Sequence, residues 1–327
     1  DWIQRGIGWG GSWGGWLWTG WQLWAVFRGR RGIHAVVVCG EGGALCLLLL
    51  KWLGWLRMPV VLLGAGEPRS GARWCGWIRG LALRGADRVG CFSRVHAARL
   101  QGVEGVGWSR LAWLPLPFIP ADWDASRGLR ERRYGVALVF GEGMDFGTLL
   151  EALPLGERLV VLADAANARR VRAHWAFGVG VEVVEEGDAS AQRRWCACAQ
   201  MVIFALKGEI SLSVVVELVG CLAMGKLVIV TEHPEAEAYV VHRSNAWVVR
   251  AGDAGGLRAA MERFFREGHA LAPMREAARR KVREEMGAGG FGRRLGEILE
   301  EIRAERARKR GRVWGKSGGL EDHECVS

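Results

Sequence analysis

Residues 207–239 combine residue types that can bind an anion. A polar loop, Lys207–Ser213, leads into an apolar segment with helical spacing and then into a β-branched run typical of a buried strand. Backbone N–H groups and the positive dipole end at a helix N-terminus attract phosphate, and Lys207 adds a positive charge. The alternative is an ordinary helix–strand unit in which Ser211 and Ser213 cap the helix.

Glycine-containing loops follow four of the predicted strands. Ligands of parallel α/β sheets bind at the carboxyl ends of the strands, so these loops are candidate parts of a ligand site. A single loop of this kind is not specific, because glycine also serves in tight turns. Taken together they predict a cleft site, and they are Gly40–Gly43, Gly64–Glu67, Gly141–Asp145 and Lys207–Ser213.

Strands and helices alternate along the chain, which predicts parallel sheets and an α/β fold. Strands are expected at 34–39, 59–63, 86–93, 111–114, 135–140, 158–162, 181–184, 201–205, 227–230 and 247–249. Helices are expected at 44–55, 96–100, 148–153, before Gly225, at 254–267 and 272–286, and from Phe291 onwards.

A cluster of prolines and charged residues interrupts this alternation and marks a domain boundary. We therefore expect two Rossmann-like domains that face a cleft, followed by a C-terminal helix and, from Arg303 onwards, a basic tail that is either frayed and able to touch phospholipid or a solvated helix end. The predicted segments are a Gly/Trp-rich leader at 1–32, a first domain at 33–117, a linker at 118–133, a second domain at 134–302 and the tail at 303–327.

The charge is unevenly distributed. Residues 1–117 carry 14 Lys and Arg against 5 Asp and Glu, and the tail from Arg303 carries 7 against 4, within a total net charge of +10. This pattern indicates an anionic partner for the first half, and an anionic membrane surface fits because no nucleic-acid-binding motif is present. The Trp-dense leader is consistent with a membrane interface, although it can equally be a packed or poorly ordered segment.

Cysteine and histidine give no sign of a metal centre. The 8 cysteines show no C-x-x-C spacing, and Cys196 and Cys198 have no histidine cluster beside them. Buried reduced thiols in a cytoplasmic protein are the default interpretation. The apolar residues 43–66 are interrupted by Lys51, Arg57 and Pro59, so no membrane span is predicted.

Several segments occur in an order typical of one enzyme family. In the second half these are F-G-E-G-M-D-F-G-T-L-L-E-A-L at 140–153, L-A-M-G-K-L-V-I-V-T at 222–231, and the stretch from H-P-E at 233–235 to Val249 followed by Gly252-Asp253. In the first half they are R-G-A-D-R-V-G-C-F-S at 84–93 and the proline-rich 117–123. Residues 33–302 thereby resemble retaining glycosyltransferases of the GT-B fold, the "group 1" set that uses nucleotide sugars.

The resemblance implies that a sugar passes from a nucleotide-diphosphate sugar to an acceptor hydroxyl with retention, without a metal ion or a protein nucleophile. The acceptor would be a glycan, a lipid-linked molecule or a small molecule, and the protein would be cytoplasmic or peripheral at the inner face of the cell membrane. The implied donor-binding residues are Gly141, Glu142, Gly143, Lys207, Ser211, Ser213, Val214 and Glu217. Val183 and Val184 would hold the base or simply be core residues. Glu41, Glu67, Ser93 and Arg94 are acceptor-side candidates that can equally be ion-paired or solvated surface residues.

The sequence departs from the family pattern at the ribose-binding position. A Glu or Gln usually stands five residues before the Gly-Lys pair, where this chain has Gly220. The nearest carboxylate is Glu217, one helical turn earlier, which would either substitute for it or simply face solvent. Gly141–Asp145 also lacks the usual phosphate-binding Arg or Lys. Two alternatives to a glycosyltransferase therefore stay open, a non-catalytic binding protein with the same fold and a nucleotide-sugar epimerase.

Overall fold

The computed structural model describes residues 35–39, 48, 51–55, 58–63, 80, 83–118, 123 and 131–317 of the 327-residue chain. The chain divides into two compact units. The first unit contains the described residues up to Phe92, then His96–Leu114 and the chain from Arg294 onwards. The second unit contains Ser93–Val95 and Pro115–Arg293.

A parallel sheet, here called the N-terminal sheet, lies in the first unit. Its strands are adjacent in the order in which they occur in the chain. Strands β2 and β3 are buried at every position, as expected for a parallel sheet that is covered on both faces. The strands are β1 Val36–Cys39, β2 Val60–Leu63, β3 Arg88–Cys91 and β4 Leu111–Trp113.

The second unit contains a second parallel sheet, the C-terminal sheet, whose order in space is β7-β6-β5-β8-β9-β10. The chain moves outward from β5 to β7, crosses back to β8 and moves outward again to β10. The direction reverses between β5 and β8, and open α/β sheets bind ligands outside the carboxyl ends of the strands at such a switch point. The strands are β5 Arg132–Val139, β6 Leu159–Ala163, β7 Val181–Glu185, β8 Ala199–Phe204, β9 Leu227–Thr231 and β10 Trp247–Val249.

Helices connect these strands, and the predicted α/β alternation is confirmed. Aspartates accept hydrogen bonds from the first-turn N–H groups of four helices, which satisfies donors that a helix leaves unpaired. The helices are α1 Arg94–Glu104, α2 Phe146–Ala152, α3 Ala165–Arg172, α4 Ala189–Cys198, α5 Leu212–Met224, α6 Ala254–Glu267, α7 Ala272–Lys281 and α8 Ala288–Ser317, with a π-turn at Val282–Met286 and a 3₁₀ turn at Trp108–Arg110.

The C-terminal sheet is buried on both faces. Ala137 and Val139 of β5 pack into a cluster with apolar side chains of α2, α3 and α6. Val136 and Leu138, which point to the opposite face, are equally buried. Because neither face is in water, the strands are continuous apolar runs, and this is why the sequence predicts them well.

The last helix continues past Arg303 to Ser317, so a frayed tail is wrong for these residues and a helix end is the alternative that fits. Ile298 and Ile302 lie one turn apart on α8 and are both buried. One turn further along, Glu305 forms an ion pair with Arg88 at the start of β3. Tertiary packing and this ion pair therefore hold a stretch whose basic composition alone suggests a solvated tail.

Asp87 is the centre of an ion-pair network beside β3. Its Oδ2 accepts hydrogen bonds from Lys51 and, at 2.7 Å, from the Val60 N–H. Its Oδ1 accepts from Arg306 at 2.7 Å. Burial alone would raise the pKa of Asp87, but the hydrogen bonds from Lys51, Val60 and Arg306 bring that pKa below its ordinary value. Burial lowers the pKa of Lys51, and this effect outweighs the hydrogen bond and the negative charge of Asp87, which raise it.

Several predicted features lie outside the described residues. These are the leader at 1–32, the loops Gly40–Gly43 and Gly64–Glu67, half of the helix at 44–55 and most of the linker at 118–133. Within the described ranges, no helix is both long enough and apolar enough to cross a membrane.

We predict that Asp87→Asn lowers the free energy of unfolding by about 2–3 kcal/mol at pH 7, because it leaves Lys51 and Arg306 without their carboxylate. Since the folded-state pKa of Asp87 is depressed, its contribution is present above the ordinary carboxyl pKa and is lost as the pH falls through the folded value. Urea unfolding at pH 7 and pH 3 measures both effects. Glu182→Gln, which breaks an exposed ion pair with Arg158, is the control and should change stability by less than about 1 kcal/mol. A loss for Asp87→Asn that is equal at both pH values would contradict the electrostatic account.

Candidate functional site

Two loops meet at the switch point of the C-terminal sheet. They are Gly141–Asp145 after β5, here called the β5 loop, and Ala205–Ser211 after β8, here called the β8 loop. The Gly143 carbonyl accepts a hydrogen bond from the Lys207 N–H at 2.6 Å. The structure therefore joins, through backbone hydrogen bonds, two of the loops that the sequence identified as phosphate-binding candidates.

Gly143 permits the close approach of the two loops. Its φ is +82°, and a Cβ atom at this position would lie 2.1 Å from the Glu209 carbonyl oxygen. Gly141 differs, because a Cβ there would meet nothing within 4 Å. The two glycines thus have separate roles, since Gly143 packs one loop against the other while Gly141 leaves open space at the rim.

The β5 loop is also held from the side of β6. The Gly141 N–H donates to Asp164 Oδ2 at 3.1 Å, and the buried Asn167 donates from Nδ2 to the Gly141 carbonyl at 2.9 Å. Burial alone would raise the pKa of Asp164, but backbone hydrogen bonds from Asn167 and Gly141 lower it. Both backbone groups of Gly141 are thereby fixed, which gives the loop one preferred conformation.

Arg170 brings a cation to the β5 loop that the sequence analysis missed. Its guanidinium lies 5.1 Å from the centre of the Phe146 ring and donates from Nη1 to Asn167 Oδ1 at 3.1 Å. Phe146 directly follows the loop, and Asn167 bonds to Gly141. The loop itself has no Arg or Lys, but α3 supplies one beside it.

The β8 loop is fixed from the side of β9. Thr231 Oγ1 accepts from the Leu206 N–H at 2.7 Å and donates to the Leu206 carbonyl at 2.8 Å. His233 Nε2 donates to the Gly208 carbonyl at 2.7 Å, while its Nδ1 accepts from the Glu235 N–H at 3.2 Å. The loop is therefore held on both sides before any ligand binds, which reduces the entropy that a ligand must remove.

The predicted side-chain cap of α5 does not form. Ser211 occupies the N-cap position, but its side chain accepts no hydrogen bond from the first helical turn. Instead, its Oγ lies 2.6 Å from Ser213 Oγ, and the Val214 N–H bonds to the Ser211 carbonyl at 3.1 Å. The start of α5 thus lacks the side-chain cap that α2, α3, α4 and α6 have.

Lys207 places an exposed cation where the two loops meet. Its side chain is 71% exposed, and its Nζ lies 3.9 Å from Oδ2 of Asp145, the residue that caps α2 through Thr148. The two partners are far apart for an ion pair, and such an exposed pair contributes little stability. Lys207 can therefore turn to an anionic ligand at small cost.

Glu217 carries a buried oxygen atom without a hydrogen bond. No residue in the described part of the chain donates to its Oε2. Burial raises the pKa of Glu217, while the positive charge of Arg193 on α4 acts in the opposite direction. A buried acceptor without a donor is costly in a folded protein, so this carboxyl is a candidate ligand-binding group.

Gly220 is required by the packing of Trp123. A Cβ atom at position 220 would lie 2.1 Å from Trp123 Cη2, and Trp123 is itself buried beneath Arg193, whose guanidinium lies 4.7 Å from the indole centre. The ribose-binding carboxylate expected at this position therefore has no space in this chain. Positions 217 and 220 are neighbours on one face of α5, so Glu217 is the nearest replacement.

Three other candidate residues of the second unit, Val183, Val184 and Glu142, lie outside the hydrogen bonds that join the two loops. Val183 and Val184 lie on β7, at the edge of the sheet and separated from β5 by β6. Val183 packs against the core, and its carbonyl accepts from Arg172 at 3.2 Å. Glu142 is exposed at the tip of the β5 loop.

The acceptor-side candidates lie elsewhere in the chain. Ser93 is buried directly after β3, and Arg94 is the exposed first residue of α1. Glu41 and Glu67 are outside the described residues.

The described ranges contain no group of three or more His, Cys, Asp or Glu side chains arranged to hold a metal ion.

Comparison with known proteins identifies the fold. No protein-family model matches the chain, and no curated protein matches it by sequence. Solved structures do match. A glycosyltransferase from Rickettsia africae is similar over 86% of this chain and 80% of its own, with 16% identity and a TM-score of 0.61. Anabaena HepE in complex with UDP is similar over 85% and 81%, with 14% identity and a TM-score of 0.59.

A third similar structure is the sucrose-phosphate synthase of Thermosynechococcus elongatus, which covers 87% of this chain and 77% of its own at 16% identity and a TM-score of 0.55. These neighbours have the GT-B fold. Identities this low establish the fold alone, and the predicted GT-B fold with two Rossmann-like units is confirmed.

We predict that Gly220→Ala is destabilising by about 1–3 kcal/mol, because the new methyl group overlaps the Trp123 indole. Helix propensity alone predicts the opposite sign, a gain of about 1 kcal/mol for Gly to Ala within a helix. In a Trp123→Ala background the same substitution should therefore become stabilising, and chemical unfolding of the four variants measures the coupling. Gly102→Ala, at a site with open space within α1, is the matched control. Equal effects of Gly220→Ala in the two backgrounds would exclude this packing constraint.

We predict that Glu217→Gln raises the melting temperature at pH 8 and has no such effect at pH 4. The folded-state pKa of Glu217 is raised, so the native state binds its proton more tightly than the unfolded state, and stability falls as the pH rises above the ordinary carboxyl value. Gln removes this loss while keeping the shape of the side chain. A melting-temperature difference that does not depend on pH would show that Glu217 titrates normally.

Proposed function

We propose that this protein is a glycosyltransferase that moves a sugar from a nucleotide-diphosphate sugar to an acceptor hydroxyl with retention of configuration. The observation that carries the proposal is the pair of backbone-linked loops at the switch point, with exposed Lys207 and the start of α5 beside them. Loops fixed in advance beside a helix N-terminus suit a diphosphate, whose charge increases as the sugar leaves.

The donor diphosphate would lie against the first turn of α5. Ser211, Ser213 and Val214 would present N–H or hydroxyl groups to the phosphates, and the helix dipole would stabilise the negative charge. Lys207 would pair with the phosphate oxygens from the β8 loop. The open space at Gly141 would admit the diphosphate on the other side, with Glu142 and Gly143 in the same loop.

In the proposed reaction, the bond between the anomeric carbon and the β-phosphate oxygen breaks as the acceptor oxygen bonds to the same face of that carbon. The acceptor hydroxyl proton passes to the departing phosphate oxygen. The protein supplies position and charge stabilisation, both of which are large contributions to catalysis, and it forms no covalent bond to the sugar.

Glu217 is the proposed ribose-binding residue. Its unpartnered Oε2 could bond to a ribose hydroxyl group, which would take the place of the carboxylate that Trp123 excludes from position 220. Val183 and Val184 remain the proposed contacts of the base. Ser93, Arg94, Glu41 and Glu67 remain the proposed acceptor-side residues.

The ligands of the similar structures support a nucleotide-sugar donor. HepE has been solved with UDP and with UDP-glucose, and a TarM variant with UDP and α-GlcNAc-glycerol. We propose that the present chain uses a nucleotide sugar of this class and requires no metal ion. Its acceptor would be a glycan, a lipid-linked molecule or a small molecule rather than nucleic acid. The chain would act in the cytoplasm or at the inner face of the cell membrane, in glycan or glycolipid synthesis.

A second candidate is a binding protein that kept the fold without the reaction. The packing of Trp123 against Gly220 favours this alternative, because it removes the usual ribose contact. Release of UDP from UDP-glucose, or of GDP from GDP-mannose, distinguishes the two. A binding protein would bind the nucleotide diphosphate without any turnover of the sugar nucleotide.

We predict that UDP or GDP stabilises the protein against heating. A ligand at a hundred times its Kd contributes about 2.7 kcal/mol, which corresponds to roughly 5–10 °C for a unit of this size. Lys207→Ala should weaken binding by roughly tenfold to a hundredfold, because a charge-assisted hydrogen bond to phosphate is lost.

The matched control for Lys207→Ala is Arg266→Ala, because Arg266 is a cation of equal exposure, 72%, on α6. It should leave the melting-temperature shift unchanged. Arg170→Ala tests the cation beside the β5 loop in the same assay. The donor-site proposal is wrong if neither nucleotide diphosphate shifts the melting temperature at millimolar concentration.

A further inference from the structure

Large apolar side chains are exposed at the amino-terminal edge of the N-terminal sheet, the edge at which its strands begin. Trp52, Leu53 and Trp55 precede β2 and are 52%, 59% and 68% exposed. Trp108 lies in the turn before β4 and is 60% exposed. We call these four residues the edge patch. Tryptophan is among the most costly residues to leave in water, so several exposed indoles within one unit call for a partner.

Hydrogen bonds establish that the two parts of the edge patch belong to the same edge. Lys51, next to Trp52, donates to the Met58 carbonyl at 2.7 Å and pairs with Asp87. Met58 precedes β2 and Asp87 precedes β3, so the segment that carries Trp52 lies at the amino-terminal ends of these two strands. On the other side, Arg110 donates to the carbonyl of Arg84, which also precedes β3. Since β3 lies between β2 and β4, the patch extends along one side of the sheet.

Two exposed arginines stand before β3 and β4, next to the edge patch. Arg84 and Arg110 are exposed, whereas Asp87 is already paired with Lys51 and Arg306. The network at Asp87 also fixes α8 to this edge, where exposed Arg303 precedes Arg306 by one turn and Glu305 is paired with Arg88. Exposed indoles and exposed guanidinium groups therefore occur at the same ends of the strands.

We propose that the edge patch is the surface through which the protein docks on an anionic phospholipid bilayer. This rests on the membrane-surface part of the proposed function. Indole rings favour the headgroup region of a bilayer, because their apolar body and polar N–H suit its two sides. Arginines beside them bind the anionic headgroups, and each adds to the affinity.

The composition and the placement of the patch select a bilayer over a protein partner. The patch is carried by a helix end and turn before β2 and by the turn before β4, and it lies at the amino-terminal ends of the strands. A bilayer surface can contact several separate indoles and arginines at once, whereas a helix or strand partner requires a groove or a strand edge.

The test is sedimentation of the full-length protein with vesicles. We expect binding to vesicles of phosphatidylglycerol and phosphatidylcholine, weaker binding as salt is raised, and no binding to phosphatidylcholine alone. Trp52→Gln with Trp55→Gln should weaken binding by about tenfold or more, and Arg84→Gln by roughly fivefold. The matched controls are Trp175→Gln, a 79% exposed indole of the second unit, and Arg169→Gln, an exposed arginine of α3. Both should bind like the wild type.

Each other outcome overturns the proposal. Failure of the wild type to bind anionic vesicles excludes a bilayer partner. Unchanged binding of the double Trp variant assigns the interaction to another part of the chain, such as the Trp-rich residues 1–32. Concentration-dependent dimerisation without lipid, abolished by the same double variant in sedimentation velocity, would assign the patch to a second copy of the chain.

The melting shift with UDP, measured on the same variants, separates this proposal from the donor site. The shift should be the same in the wild type and in the edge-patch variants. If the shift is absent while vesicle binding persists, the donor proposal fails and the docking surface stands. If vesicle binding is absent while the melting shift persists, the docking surface is excluded and the donor-site proposal stands.

Discussion

The contact between the β5 loop and the β8 loop is the constraint on which the candidate site depends. The Lys207 N–H bonds to the Gly143 carbonyl, and the Glu209 carbonyl occupies the space beside the Gly143 α-carbon. Any side chain at position 143 would separate the loops and remove Lys207 from its place. The hydrogen bonds with Asp164 and Asn167 fix the β5 loop, and those with Thr231 and His233 fix the β8 loop, so both loops are held in the positions that this central contact requires.

Much of the fold could be predicted because its determinants are local. The strands of the C-terminal sheet are continuous apolar runs, since both faces are covered, and Gly225 ends α5 as the sequence indicated. Helices α3 and α4 are not evident in the sequence because they are short and have few large apolar residues, α3 being rich in arginine and α4 in Ala and Cys, so their apolar period is weak. The aspartate before each of them was the available signal, since Asp164 and Asp188 follow strands and cap what comes next.

The sequence predicted which loops form the candidate site, but it did not predict the contacts between their residues and the rest of the unit. Position 220 illustrates the difference. In the sequence, Gly220 indicates only that the usual carboxylate is absent, whereas the structure shows that the Trp123 indole leaves no space for a side chain there. Arg170 was overlooked for the same reason, since it lies on a different helix from the loop it serves and only the Phe146 ring and Asn167 connect the two. Contacts between residues distant in sequence leave no local pattern, whereas the polarity of a loop after a strand does.

The attachment of α8 to the start of β3 has a consequence for folding during synthesis on the ribosome. Arg88 and its partner Glu305 are separated by 217 positions, and Asp87 and Arg306 by 219. At roughly 5–20 residues per second, the N-terminal sheet must wait about 10–40 s after β3 emerges before these partners are synthesised. The second unit is complete in sequence before that moment. It can therefore fold first, while the first unit is held unfinished until the last helix arrives.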